Sequence, residues 1–199
     1  MTAVDSRAAE STRDQRDHVP GEPGVWLLLF GDMSVFAALF GVYLHARNQQ
    51  PELFTAGQRE LNSDLGAINT LLLLGSSLLV AWATTCMRRR QRELGARFLV
   101  GAMLLGAAFV CVKLFEYREQ IAQGHVPAMN EFFTYYFMLT GIHLAHLVVG
   151  LVVLGGLLHL MRRPAPRDVP PVFFEGGACF WHVVDLLWIV IFPLIFLVH

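Results

Sequence analysis

Charge is scarce in this chain, and cysteine is scarcer. Asp, Glu, Lys and Arg supply 16 % of its 199 residues, against roughly a quarter in an ordinary soluble domain. The three cysteines, Cys86, Cys111 and Cys179, make neither a disulfide framework nor a CxxC metal site. Free cysteine buries readily as a small hydrophobe, and that is the role expected here. No nucleophile–base pair, phosphate loop or Cys/His zinc site is present, which argues against a self-contained hydrolase or transferase. No internal repeat supports an inverted-repeat transporter, and nothing points to a nucleic-acid partner. The first twenty residues have no apolar core and so do not read as a cleavable signal peptide. They mix Arg7, Arg13 and Arg16 with Asp5, Glu10, Asp14 and Asp17, so residues 1–21 are expected to be a disordered cytoplasmic tail.

What the chain has is hydrophobicity in blocks. Hydrophobic residues reach 55 %, and they do not form the amphipathic stripes of a soluble helical protein. About 20 consecutive apolar residues cross a bilayer core as one helix. Five stretches reach that length, at about 24–45, 65–87, 95–117, 132–160 and 173–198. The expected fold is an all-α integral membrane protein, a bundle of five transmembrane helices forming one domain over 22–199. Three arginines lie in the tail, five around the second connection (Arg88, Arg89, Arg90, Arg92, Arg97) and three in the fourth (Arg162, Arg163, Arg167). The other side carries Arg47, Arg59 and Arg118. By the positive-inside rule the N-terminus is cytoplasmic and the C-terminus outside. The one longer connection, residues 46–64, has room for a short surface helix.

Ionisable groups inside such spans are costly and therefore informative. Asp32 lies in the first span. Lys113, Glu116 and Glu119 close the third, and Lys113 with Glu116 reads as an i,i+3 ion pair near the outer interface. His143 and His146 share a face of the fourth, and Glu175, His182 and Asp185 occur in the fifth. At about 1.5 Å rise per residue, Asp32 and His182 lie roughly 12–14 Å deep, and His146 and Asp185 roughly 18–21 Å deep. If the helices are neighbours, Asp32 is expected to meet His182, and His146 to meet Asp185. Such groups also serve as plain interhelical glue worth about 0.6–2 kcal/mol, and His-x-x-His alone is a weak signal for metal or haem. Small residues, among them Gly101, Gly106, Gly150, Gly155, Gly156, Gly176 and Gly177, permit close helix approach. Trp181 and Trp188, seven apart, share a face too deep for an interfacial belt, so protein is expected to cover it.

Four segments in order carry a resemblance. GVWLLLFGDMSVFAALFGVYL, KLFEYRE, FFTYYFMLTGIHLAHLVVG and FFEGGACFWHVVDLLWIVIF together resemble subunit III of the haem–copper oxidase family, as in cytochrome c oxidase, in its five-helix form. The resemblance implies a non-redox subunit that stabilises catalytic subunit I and supports proton uptake and lipid binding in aerobic electron transport. It implies no haem, copper or catalytic residue on this chain, with haem and copper on partner subunits and room for phospholipid. It also implies that Asp32, Glu116, His143, His146, Glu175, His182 and Asp185 form a polar interior, with Trp181 and Trp188 as a packing face. The implied location is a bacterial-type cytoplasmic (inner) membrane. The two N-terminal helices of longer members are missing, and Asp32 stands where the family usually has glutamate. Its Gly-Asp-Met context is similar to the NorE-type accessory branch of nitric oxide reductase. Two other readings remain open at this point: an autonomous haem-binding membrane cytochrome using His45, His143, His146 or His182, and an ion transporter using Asp32 and Asp185.

Overall fold

A computed structural model describes residues 23–127, 129–162 and 171–197. The tail expected over 1–21 lies outside the described residues. Among the described residues six α-helices follow in order: α1 Pro23–Gln49, α2 Pro51–Arg59, α3 Ser63–Arg88, α4 Arg92–Ala122, α5 Glu131–Arg162 and α6 Pro171–Phe192. The last continues as a π-helical turn over Pro193–Leu197. Five of them, all but α2, are long and apolar enough to cross a membrane.

The helix starts follow local chemistry. Proline opens α1, α2 and α6, where its missing N–H would have no intrahelical partner anyway. Asn62 caps α3 by accepting from the backbone of Asp64 and Leu65 at 3.0 and 3.3 Å. Asn130 does the same for α5 through Phe133 N at 2.9 Å, which satisfies donors that every helix leaves free. Pro193 explains the π turn. It cannot donate to residue 189 and its ring crowds that carbonyl, so the helix widens there. The displaced end is held by Tyr43 Oη, which donates to Leu194 O at 3.2 Å.

Two helices end in the same backbone motif with different residues. After α4, Gly124 takes a left-handed conformation (φ 87°), with Gly124 N on Ile121 O and His125 N on Gln120 O. After α3, Arg90 occupies the equivalent position at φ 59°, with Arg90 N on Met87 O and Gln91 N on Cys86 O. An L side chain there costs about 1 kcal/mol. Arg90→Gly is therefore expected to stabilise the chain by about that amount, read as a higher midpoint in thermal unfolding in detergent. No change would mean the turn is strain-free.

α6 is the axis of the bundle. Half of its most apolar stretch is buried, against 17 % for α1. It packs against α1, α3 and α5, and reaches α4 through Trp181. The α3–α4 hairpin is the closest helix pair, with Ser76 Oγ donating to Ala102 O across it at 2.9 Å. Leu27, Phe30, Leu71, Leu104 and Val152 stand well exposed around the outside, a surface suited to lipid tails and not to water.

The small residues divide in use. A Cβ on Gly106 or Gly150 would come within 2.9 and 2.8 Å of the Trp181 ring, and one on Gly177 within 2.8 Å of Leu157. Gly156 meets nothing and Gly155 only Met103 at 3.6 Å, so those two do not bring helices together. The expected short helix is present as α2, but it is partly a plug. Phe54, Gly57 and Gln58 are buried, and the Phe54 ring meets Tyr43 and Phe132. The third span also runs further than hydropathy suggested, to Ala122 and not 117. In this helix Lys113, Glu116 and Gln120 point inward while Leu114, Phe115 and Ile121 point outward. Its last turns read polar in sequence because the polar side is the inside.

Candidate functional site

The interior of the bundle carries three polar groups at different levels. At the end remote from the arginine-rich turn, Lys113 Nζ donates to Glu116 Oε1 at 3.0 Å, and Tyr136 Oη donates to the same oxygen at 2.6 Å. Both charged side chains are essentially inaccessible, at 0 and 1 %. Four rings enclose the ammonium, those of Tyr117, Tyr136, Trp188 and Phe196, with centroids 5.6, 5.0, 5.2 and 5.3 Å away. Cation–π attraction strengthens when the cation is desolvated. The pair anticipated at an interface is thus a fully enclosed one, because α5 and α6 close over it. Around it, Tyr117 Oη and Thr140 Oγ1 share a hydrogen bond of 2.6 Å, and Gln120 Nε2 donates to Glu60 O at 3.1 Å. His125 closes the outer end, bonded to Gln120 at 2.7 Å and stacked on Phe133.

A second group joins α1 to α5. His146 Nδ1 lies 2.8 Å from Ile142 O. A carbonyl only accepts, so Nδ1 carries the proton. Nε2 then faces Asp32 Oδ1 at 3.6 Å. Both side chains remain about a quarter accessible. The third group joins α3 to α6, where Ser77 Oγ and His182 Nδ1 are 2.6 Å apart and the same hydroxyl neighbours Asp185. At the arginine-rich end Arg88 and Glu175 form an exposed ion pair at 2.9 Å.

Sequence comparison adds what geometry alone does not. The family model described as cytochrome c oxidase subunit III matches residues 20–198. The chain belongs to the cytochrome c oxidase subunit III family. It is 28 % identical over 188 residues to the cytochrome bo(3) ubiquinol oxidase subunit 3 of Buchnera aphidicola subsp. Acyrthosiphon pisum, covering 94 % of this chain and 91 % of that one. The cytochrome c oxidase subunit 3 of Bacillus sp. PS3 is 29 % identical over 178 residues, with 87 and 84 % covered. The probable quinol oxidase subunit 3 of Staphylococcus saprophyticus is 29 % identical over 198 residues, with 94 % of each chain covered.

As a member of the subunit III family, the chain places its motif residues in particular partnerships. The expected pairs Asp32–His182 and His146–Asp185 do not form. Asp32 meets His146, and His182 and Asp185 lie against Ser77. Equal depth was a sound guide to level, but which helix stands beside which is a matter of bundle topology, and α1 packs on α5 as well as on α6. His143 points to neither group. Its ring is buried between Phe109 and Trp188, with centroids at 5.7 and 5.2 Å. His45, the fourth histidine considered, bonds Gln49 on its own helix. Among the described residues no group of three or more His, Cys, Asp or Glu is gathered as a metal site.

Trp181 and Trp188 are 1 and 0 % exposed, and the protein covering them is this chain itself. Phe132, Phe133 and Tyr136 are likewise internal, whereas Trp82 is 48 % exposed. Sequence reasoning missed Asn69, the bond from Tyr136 to Glu116 and the aromatic box. One signal was on hand: Lys113 is the only lysine in the chain. Where arginine serves at every other cationic position, a lone lysine among apolar residues marks a special place.

Proposed function

We propose that this chain is the non-redox third subunit of a haem–copper oxidase, holding catalytic subunit I in the membrane and supporting its proton uptake. The observation that carries the reading is the family match over nearly the whole chain, together with family-motif residues Asp32, Glu116, His143, His146, His182 and Asp185 that engage other helices or the core. Haem and copper belong to the partner subunits in this reading, and the lipid-facing grooves of the bundle take phospholipid. The arginine distribution orients the N-terminus to the cytoplasm of a bacterial-type inner membrane. The relatives are named for ubiquinol, quinol and cytochrome c oxidases, which favours oxygen as the acceptor of the complex. One sequence feature favours the variant, an accessory of nitric oxide reductase: Asp32 in its Gly-Asp-Met context stands where the family usually has glutamate.

Affinity purification in mild detergent, with a reduced-minus-oxidised spectrum and masses of the co-purifying chains, tests the reading. Haem bands that travel with a larger membrane subunit are expected, and oxygen or nitric oxide consumption by that complex decides the acceptor. Haem bound to this chain in isolation would overturn the proposal.

A further inference from the structure

Five buried side chains in the core of the bundle carry polar atoms that touch no protein donor or acceptor. They are Asn69 (Nδ2 and Oδ1), His143 (both ring nitrogens), Glu116 Oε2, Asp185 Oδ1 and Trp181 Nε1, and none of these residues is more than 4 % exposed. Buried polar groups are nearly always bonded, and each one left bare costs heavily in a medium without bulk water.

These groups follow one another along the axis. Ser76 bonds Ala102 across the antiparallel α3–α4 pair, so Asn69, seven residues earlier, stands at the level of Phe109, seven residues later. The Phe109 ring touches both His143 and Trp188, at 5.7 and 4.8 Å, and Thr70, next to Asn69, accepts from Trp188 Nε1 at 3.1 Å. His143 thus lies against Trp188, and Asn69 stands at the same level of the bundle, one residue from the Thr70 that the indole bonds. Lys113 lies 5.2 Å over the same indole, and Glu116 is one turn beyond. In the other direction Asp185 lies one turn from Trp188 on α6, and Trp181 one turn further.

We propose that this core is a bound-water site: water molecules between Asn69, His143, Glu116 and Asp185 bridge α3, α4, α5 and α6. The chemistry selects water over other occupants. Asn69 offers donors and an acceptor, neutral His143 one of each, and the free carboxylate oxygens only accept. A metal cation would meet the Lys113 ammonium and the asparagine N–H groups. An anion would face Glu116 and Asp185. Water alone both donates and accepts, and buried waters of this kind typically make about three bonds. The inference does not depend on which acceptor the assembled complex uses.

The test uses the full chain with its co-purifying subunits in lipid, labelled with 15N-histidine. In water-edited solid-state NMR the His143 imidazole, identified by its loss in His143→Gln, is expected to receive magnetisation from water although it is shielded from lipid and bulk. A His143 signal that stays dark overturns the proposal. A second measurement uses Asn69→Leu, His143→Leu and the pair. The two side chains share no direct bond, so coupling through bridging water is expected to make the double variant about fivefold better folded than the product of the single effects. Strict additivity counts against it. If the variants fail to assemble, the spectrum of the unaltered protein decides.

Discussion

Replacing Lys113 by leucine is expected to destabilise the chain by about 3–5 kcal/mol, the range for breaking a buried ion pair from one side. The loss comes less from the missing bond than from what stays behind. Glu116 would remain between α4 and α5 with its charge enclosed, and four rings would face an empty place in the box. Lys113→Leu combined with Glu116→Gln is expected to recover most of the loss. Glutamine keeps an acceptor for Tyr136 Oη, which now donates to Glu116 Oε1 at 2.6 Å, and removes the uncompensated charge. Equilibrium unfolding of the chain in mixed micelles, compared across wild type, single and double variants, reads this directly. A double variant as unstable as Lys113→Leu alone would mean that the ammonium itself, through its aromatic box, is what the fold requires.

Trp181→Ala is expected to cost about 3–5 kcal/mol as well, for a different reason. In a bilayer, helix association rests on close packing more than on removal from water, and Trp181 is the side chain around which α4, α5 and α6 close. Gly106 and Gly150 approach its ring so nearly that a single added carbon would lie 2.9 or 2.8 Å from it. Gly150→Val alone is therefore expected to cost about 1–3 kcal/mol by overpacking. Put into the alanine variant, the same valine fills part of the space the indole leaves, and the two effects should sum to clearly less than their separate costs. Additive losses, measured by the same unfolding series, would show that ring and glycine do not share the site.

The parts of the fold that were legible in the sequence are those set by one-dimensional physics. Runs such as Leu71–Leu74 or Val148–Leu154 can only lie in lipid or a core, and each sits within an apolar stretch long enough for a membrane crossing. The connection over 46–64 was long enough to leave room for α2, but its length alone did not show that Phe54 turns inward. The end of α4 was misread for an equally physical reason. Lys113, Glu116 and Gln120 recur at helical spacing, but hydropathy averages them with Leu114, Phe115 and Ile121 and cannot see that the polar face turns inward. The candidate site followed the same division. Each motif residue was found on its helix, and its depth could be counted. That Asp32 answers to His146, and His182 to Ser77, could not be counted, because a residue's level along a helix says nothing about which neighbour its azimuth selects.

From sequence alone, then, came the five spans and the subunit III family motifs with their unusual acid at Asp32, because backbone hydrogen bonding in lipid leaves a helix little choice and motif spacing survives as text. Tertiary structure decided that α6 is the central helix, that Lys113 is caged by rings from three helices, and that the direct bonds among the polar residues of the spans fall in three separate sets. Those outcomes depend on helix adjacency and rotation, which arise from contacts between residues more than a hundred positions apart, such as Trp188 Nε1 donating to Thr70 Oγ1 and Tyr43 Oη donating to the Leu194 carbonyl.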